Sequence, residues 1–358
     1  MRPAVLVAHA GGSYPVYVQP GGLPELPELA EQVLPGRRLV TITDRTVGRA
    51  VPLPDALKAP ALIIPPGEDS KTRSRWSTLT DRMLELGYGR DAGIIAVGGG
   101  VVGDLAGFVA ATYHRGIPWL YVPTSLLAMV DGSVGGKTGV NTRYGKNLVG
   151  AFHPPVAVLT DPQVLRTLHS THRATGLVEA VKHGLVAEAS YFSWIETRAE
   201  DLLALDVDSL TELVVRSVRI KAEIVSQDER ESGRRAILNA GHTVGHAIEH
   251  VTEYAVPHGD AVAIGLVFEA LLGSRLAYTE SAVHQKLRAL LQRLGRPTEL
   301  SGTWSRSGLL AAMRHDKKVR GETIRFALPS AIGSMARDKD QWTIAVDDEI
   351  VKRTLATR

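Results

Sequence analysis

The sequence predicts an α/β domain followed by a mostly helical one, and three features of the chain carry that expectation. Apolar runs of strand length alternate with helical stretches over the first half. Beyond about residue 165 the apolar spacing becomes helical almost throughout. A glycine cluster, Gly98-Gly99-Gly100, stands between a strand and a helix. Together these place an N-terminal Rossmann-like domain over 1–168 and a helical domain over 169–358. A length of 358 residues suits two domains better than one.

The elements follow in order. Residues 38–43 (RLVTIT) form a β-rich run ending at Asp44, and 61–64 (ALII) another, closed by Pro65-Pro66-Gly67. The spacing over 72–86 is helical, with Gly87 as the stop. The unbroken apolar run 93–97 (GIIAV) reads as a strand buried on both faces of a parallel sheet. A helix over 101–113 and a strand over 119–122 (WLYV) come next. Helical spacing then covers 177–189, 207–227, 236–251, 261–278 and 283–294, and strand character returns only at 323–328.

Composition narrows the function. Lys and Arg number 41 against 38 Asp and Glu, so the net charge of +3 gives little support to a nucleic-acid partner. No cysteine is present, which removes disulfides, thiolate metal sites and cysteine nucleophiles together. No apolar run is long enough to cross a bilayer, and the opening residues lack a signal-peptide pattern, so a cytoplasmic enzyme is expected. Glycine is abundant at 35 residues and concentrates between 98 and 150, marking that stretch as a site.

Gly98 to Gly103 fits G-x-G-x-x-G, where backbone amides at a helix N-terminus can approach a pyrophosphate. The acidic residue expected about 20 positions later is missing, and Asp44 is the candidate to replace it. Gly136-Lys137-Thr138 resembles the end of a P-loop, but Asp131 stands where its first glycine belongs, so an ATPase is rejected. Lys137 and Lys146 amid a flexible glycine-rich loop suit a phosphorylated substrate instead. His242 and His246 stand one helical turn apart, with His258 beyond them and Glu179, Lys182 and His183 on an earlier helix. Imidazole and carboxylate donors without thiols point to a divalent metal, zinc first. Spacing alone would choose His242 with His246. Arg235 lies four residues before Asn239 and seven before His242, so one helix would aim all three the same way.

The order of these pieces resembles the 3-dehydroquinate synthase family of sugar-phosphate cyclases. The resemblance runs from Pro66-Gly67-Glu68-x-x-Lys71 through GGGVVGDLAGFVAATYHRG, VPTSLLAMVDGSVGGKTGVN, GKNLVGAFHPP, GLVEAVKHG, DERESGRRAILNAGHTVGHAIE and HGDAVAIG to Asp316-Lys317-Lys318. It implies NAD, one divalent metal (zinc, with cobalt possible), and conversion of 3-deoxy-D-arabino-heptulosonate 7-phosphate to 3-dehydroquinate and phosphate. It also implies a homodimer. By position the metal ligands become Glu179, His242 and His258, with His246 moved to proton relay near the substrate. NAD is implied at Asp44, Glu68, Lys71, Gly99, Gly100, Asp104, Thr124, Ser125, Asp131, Lys146 and Thr167. Lys137, Asn147 and Arg115 match phosphate- and substrate-binding positions, Arg115 being the one that family dimers lend across the subunit boundary. Lys182, Lys221, Arg235, Asn239 and either Lys317 or Lys318 match contacts to substrate hydroxyls and carboxylate.

Two departures stand out: Ser125 replaces a usual Thr, and Asp260 replaces a usual Glu. Arg235, Asn239 and His246 are all in place, which favours the carboxylate-bearing substrate over those of sister cyclases. The alternatives are an amino-analogue synthase, another sugar-phosphate cyclase, or a metal-dependent polyol dehydrogenase such as glycerol dehydrogenase.

Overall fold

The computed structural model describes residues 1–316 and 323–356. By its internal contacts the chain divides into two compact units, Met1–Arg173 with Leu205–Ser226, and Ala174–Ala204 with Gln227–Arg358.

The first unit is α/β. Its strands are β1 (Val5–His9), β2 (Gly12–Val18), β3 (Arg38–Asp44), β4 (Ala61–Ile64), β5 (Ala92–Gly98), β6 (Trp119–Pro123), β7 (Lys137–Thr142), β8 (Gly145–Phe152) and β9 (Ala157–Thr160). Seven of them form one sheet in the order β1-β2-β9-β6-β5-β3-β4. Every pairing is parallel except the antiparallel hairpin β1–β2. All seven residues of β5 are buried, as its unbroken apolar run predicts for a central parallel strand. Helices α1 (Leu26–Val33), α2 (Arg45–Ala50), α3 (Arg73–Glu85) and α4 (Gly100–Thr112) complete the first segment. The helix expected from residue 72 begins at Arg73, because the Thr72 hydroxyl accepts from Arg75 N (3.1 Å) and caps it.

The stretch read as a flexible glycine-rich loop is ordered. β7 and β8 pair as an antiparallel hairpin from Lys137 opposite Phe152 to Thr142 opposite Gly145. Gly139 faces Gly150 in that register, and a Cβ on Gly150 would stand 2.0 Å from the Thr138 carbonyl. These glycines bring two strands together instead of loosening them.

The remaining helices are α5 (Ser170–Ala187), α6 (Ala189–Thr197), α7 (Ala199–Leu203), α8 (Val207–Gln227), α9 (His242–Val251), α10 (His258–Arg275), α11 (Ser281–Arg293), α12 (Arg306–Asp316) and α13 (Asp348–Leu355). α8 has the predicted bounds and packs almost entirely within the α/β unit. The other long helices build the second unit, around a core that includes Val244, Ile248, Ile264, Phe268, Leu309, Met313 and Phe326. The helix expected over 236–251 is two pieces, a 3₁₀ turn (Arg234–Asn239) and α9. Between them Gly241 has φ +79°, a left-handed conformation that ends one helix and opens the next. No described helix is long and apolar enough to cross a membrane.

Candidate metal and nucleotide sites

Within the helical unit, three helices converge on one set of donors. Glu179 lies on α5, His242 opens α9, and His258 opens α10. Their ligand atoms all lie within 4.8 Å of one another. Glu179 Oε1 stands 3.8 Å from Nε2 of both His242 and His258. Among the described residues this is the one group of three or more His and acidic side chains that converges in this way.

Glycine makes the convergence possible. A Cβ on Gly259 would stand 2.5 Å from Thr175 Cα, so the start of α10 touches the α5 backbone one turn before Glu179. A Cβ on Gly265 would stand 2.0 Å from the Gly241 carbonyl oxygen, which brings α10 closer still to the turn before His242. Glu269, buried on α10, accepts from Gly241 N (2.7 Å) and fixes that turn.

The rings are oriented from behind. His242 Nδ1 meets the Ala240 carbonyl at 3.1 Å, and His258 Nδ1 meets Glu249 Oε2 at 3.2 Å. With both Nδ1 atoms engaged, both Nε2 atoms face the carboxylate, as imidazole donors to a metal do. Burial lowers the His242 pKa to about 3, helped by the nearby Lys182 charge. Burial works against charge on His258 too, yet its bond to Glu249 and the Glu179 carboxylate raise its pKa. One carboxylate and two imidazoles fit a divalent cation that keeps an open coordination position, and the absence of thiols favours zinc-type N/O chemistry. His246 is exposed, its ring centroid 5.3 Å from that of His242, and it lies outside the convergent donors.

Lys182, 2 % exposed, pairs with Glu179 Oε2. Arg235 and Asn239 stand on the 3₁₀ turn, so the single-helix arrangement expected for them with His242 is replaced by a turn, a left-handed glycine and a new helix. The loop before Arg235 is gathered by Asp228, which accepts from Ser232 N, Gly233 N and Arg235 N (2.8–2.9 Å). Partial burial works to raise the Asp228 pKa, but these bonds outweigh it and hold the carboxyl below its ordinary value. Arg235 is buried and donates to the Glu229 carbonyl, and Asn239 Nδ2 donates to Glu231 Oε1 (2.6 Å). Asp260 is engaged by Arg296 at 3.0 Å. Lys317 and Lys318 lie outside the described residues.

The strand order of the α/β unit marks where a ligand would sit. After β3 the chain places β4 on one side and returns to place β5 on the other. The C-terminal ends of β3 and β5 therefore flank a switch point, where open α/β sheets bind ligands. Asp44 ends β3, Gly98 ends β5, and Gly99 caps α4. A Cβ on Gly98 would stand 2.5 Å from Val102, and one on Gly103 2.5 Å from Tyr121, so these glycines seat α4 against the sheet. A Cβ on Gly100 would meet nothing within 4 Å, which leaves the amide-rich start of α4 open to a phosphate. Thr124 N donates to the Gly98 carbonyl (3.0 Å), and Ser125 Oγ lies 3.2 Å from where a Gly99 Cβ would be. Asp44 Oδ1 accepts from Thr46 N and Val47 N, capping α2.

A second cluster joins Glu68, Lys71, Asp104 and Asn147. Buried Lys71 donates to both Asp104 and Asn147. Asn141 Nδ2 donates to Glu68 (2.7 Å), while Asn141 Oδ1 accepts from Asn147 N (3.0 Å). Lys221 pairs with Asp131 at 2.7 Å, through both the carboxylate and the carbonyl. Thr167 donates to the Val164 carbonyl (2.7 Å). Arg115, Lys137 and Lys146 stand exposed, Arg115 at φ +69° in the turn after α4 and the two lysines on the hairpin. Sequence reasoning passed over Asn141, Asp228, Glu249 and Glu269, since their roles arise from contacts that spacing does not show. Only Glu249, seven residues after His242 on one helix face, left a readable signal.

A switch point in an α/β unit and a metal donor set in a helical unit define a class, the nucleotide- and metal-dependent enzymes of the dehydroquinate synthase fold. The chain belongs to the 3-dehydroquinate synthase family, whose members are NAD- and metal-dependent lyases of the shikimate pathway. Its N-terminal model, "3-dehydroquinate synthase N-terminal", matches residues 61–175, and "3-dehydroquinate synthase C-terminal" matches 176–319. The 3-dehydroquinate synthase of Acidithiobacillus ferrooxidans is 44% identical over 330 residues, 90% of either chain. A 2-deoxy-scyllo-inosose synthase structure with carbaglucose-6-phosphate, NAD+ and Co2+ is 25% identical, with TM-score 0.87 over 98% of both chains. The 2-epi-5-epi-valiolone synthase of Streptomyces hygroscopicus, with NAD+ and Zn2+ bound, is 28% identical, with TM-score 0.85 over 97% of both chains. A probable glycerol dehydrogenase from Sinorhizobium meliloti, 15% identical with TM-score 0.64 over 95% of this chain and 94% of its own, shares the fold alone.

Proposed function

We propose that the chain converts 3-deoxy-D-arabino-heptulosonate 7-phosphate to 3-dehydroquinate and phosphate with the residue roles set out here. The observation that carries the reading is the convergence of Glu179, His242 and His258 with both Nδ1 atoms held from behind. Bound NAD supplies reversible oxidation of the substrate's C5 alcohol, and a bound divalent ion, zinc or cobalt, supplies Lewis-acid polarisation there.

Glu179, His242 and His258 would hold the metal. Asp44, Glu68, Lys71, Gly99, Gly100, Asp104, Thr124, Ser125, Asp131, Lys146 and Thr167 would hold NAD, the open start of α4 taking the pyrophosphate. Arg235 grips the substrate carboxylate through parallel hydrogen bonds, with Asn239 beside it. Lys182 and Lys221 bind substrate hydroxyls, and Lys137, Asn147 and Arg115 bind the phosphate end. Arg115 does so from a second copy of the chain in a homodimer. Once the C5 alcohol is a ketone, the neighbouring C6–H is acidified, and loss of that proton expels phosphate from C7 by elimination. His246, solvent-exposed and one turn beyond His242, would accept the C6 proton, and hydride returned to C5 restores the alcohol before the ring opens. Ring opening and aldol closure then need mainly orientation, which the dense set of cations and amides provides.

The test is product formation with zinc and a trace of NAD, followed by phosphate release and NMR. Dehydroquinate and phosphate should form in equal amounts, while sedoheptulose 7-phosphate, which lacks the carboxylate, should turn over far more slowly. Equal turnover of the two would replace this reading with that of a carboxylate-independent cyclase.

A further inference from the structure

α9 presents two groups to the metal site. Glu249 follows His242 by seven residues on this helix, two turns on, so both side chains leave the same face. Glu249 is 4 % exposed. Its Oε2 lies 3.2 Å from His258 Nδ1, while the opposite ring nitrogen, Nε2, lies 3.8 Å from Glu179 Oε1. The two carboxylates therefore hold opposite edges of one imidazole. Glu249 stands on the edge away from the convergent donors and is not one of them.

We propose that Glu249 is a positioning residue of the metal site, holding His258 with its proton on Nδ1 so that Nε2 faces Glu179 and His242 as a bare donor. The proposal rests on the metal-binding reading of that triad. A carboxylate behind an imidazole fixes its tautomer, locks the ring plane and raises its basicity as a ligand. His242 obtains its orientation from a neutral acceptor, the Ala240 carbonyl. The His258 side chain is 31% exposed against 16% for His242, and its Nδ1 partner is a buried carboxylate instead of a carbonyl.

The experiment measures zinc affinity by chelator competition in wild type, Glu249→Ala and Glu249→Gln, with circular dichroism as the folding control. A second readout is the His258 tautomer in metal-free protein, by nitrogen-15 NMR above the imidazole titration range. Glu249→Ala should bind zinc about 10- to 100-fold more weakly and lose the Nδ1–H preference. Glu249→Gln keeps an acceptor oxygen without the charge, so it should keep the tautomer and lose less affinity. Folded Glu249→Ala with wild-type zinc affinity overturns the proposal. If that variant does not fold, wild-type affinity in Glu249→Gln overturns it. Failure of the wild type to bind zinc overturns the metal reading as well, so the two failures are distinguishable.

Discussion

Replacing Gly259 with alanine would add one methyl group at a tight backbone contact behind the metal donors. The new Cβ would stand 2.5 Å from Thr175 Cα, and ordinary contact begins at 3.4 Å, so α10 must move from α5 by about 0.9 Å. Thr175 offers backbone there, which cannot swing aside as a side chain would. Tetrahedral zinc with bonds of roughly 2.0–2.2 Å needs its nitrogen and oxygen ligands ~3.4 Å apart, and even collinear ligands span only ~4.2 Å. His258 Nε2 now lies 3.8 Å from Glu179 Oε1, within that reach. Separation by a further ~0.9 Å takes it to ~4.7 Å, and one ion can no longer touch both. Gly259→Ala should therefore fold, with a stability loss of about 1–3 kcal/mol from overpacking, yet bind zinc at least ~100-fold more weakly. Chelator competition measures the affinity and thermal unfolding the stability. A folded variant with zinc affinity within about threefold of wild type, under 1 kcal/mol, would refute the argument.

Other outcomes follow from the same geometry. Arg235→Lys removes the planar fork from the proposed carboxylate clamp, so kcat/KM should fall about 30- to 1000-fold, from roughly 2–4 kcal/mol of lost transition-state binding. NAD and zinc binding should be unchanged, as equilibrium dialysis would show. His246→Ala should keep its zinc by elemental analysis while losing rate. Loss of zinc from that variant, with retention in His258→Ala, would reverse the ligand assignment.

The parts of the fold legible in the sequence were those where one local pattern and the tertiary structure agree. The run at β5, its glycines and α4 could be read because a strand buried on both faces needs an unbroken apolar stretch, and the turn needs glycine. α8 was readable to the residue because its 21 residues keep one amphipathic period. Residues 236–251 misled, since the apolar spacing runs through Gly241 while the contact with Gly265 that forces the break lies 24 positions away. The β7–β8 hairpin was hidden because glycines erase the alternation that marks a strand, and only pairing shows Gly139 against Gly150. The hairpin β1–β2 and the four-residue β9 carry too little pattern to stand out.

The metal donors divide the same way. Residue types and their neighbourhood were legible, and the one-turn spacing of His242 and His246 suggested a pair. The helix start that aims His242 at Glu179 leaves His246 exposed, and His258 arrives only through the contact of Gly259 with Thr175. The sequence resemblance supplied that choice; local periodicity could not.

On the proposed mechanism NAD is consumed and restored within each turnover. The most direct test is substrate carrying deuterium at C5, incubated with zinc-loaded enzyme and a trace of unlabelled NAD. Each dehydroquinate should keep the deuterium on the same carbon, with one phosphate released and no growth of reduced-cofactor absorbance. Deuterium lost from the product, with reduced cofactor accumulating in step, would contradict that mechanism and mark the enzyme as a dehydrogenase.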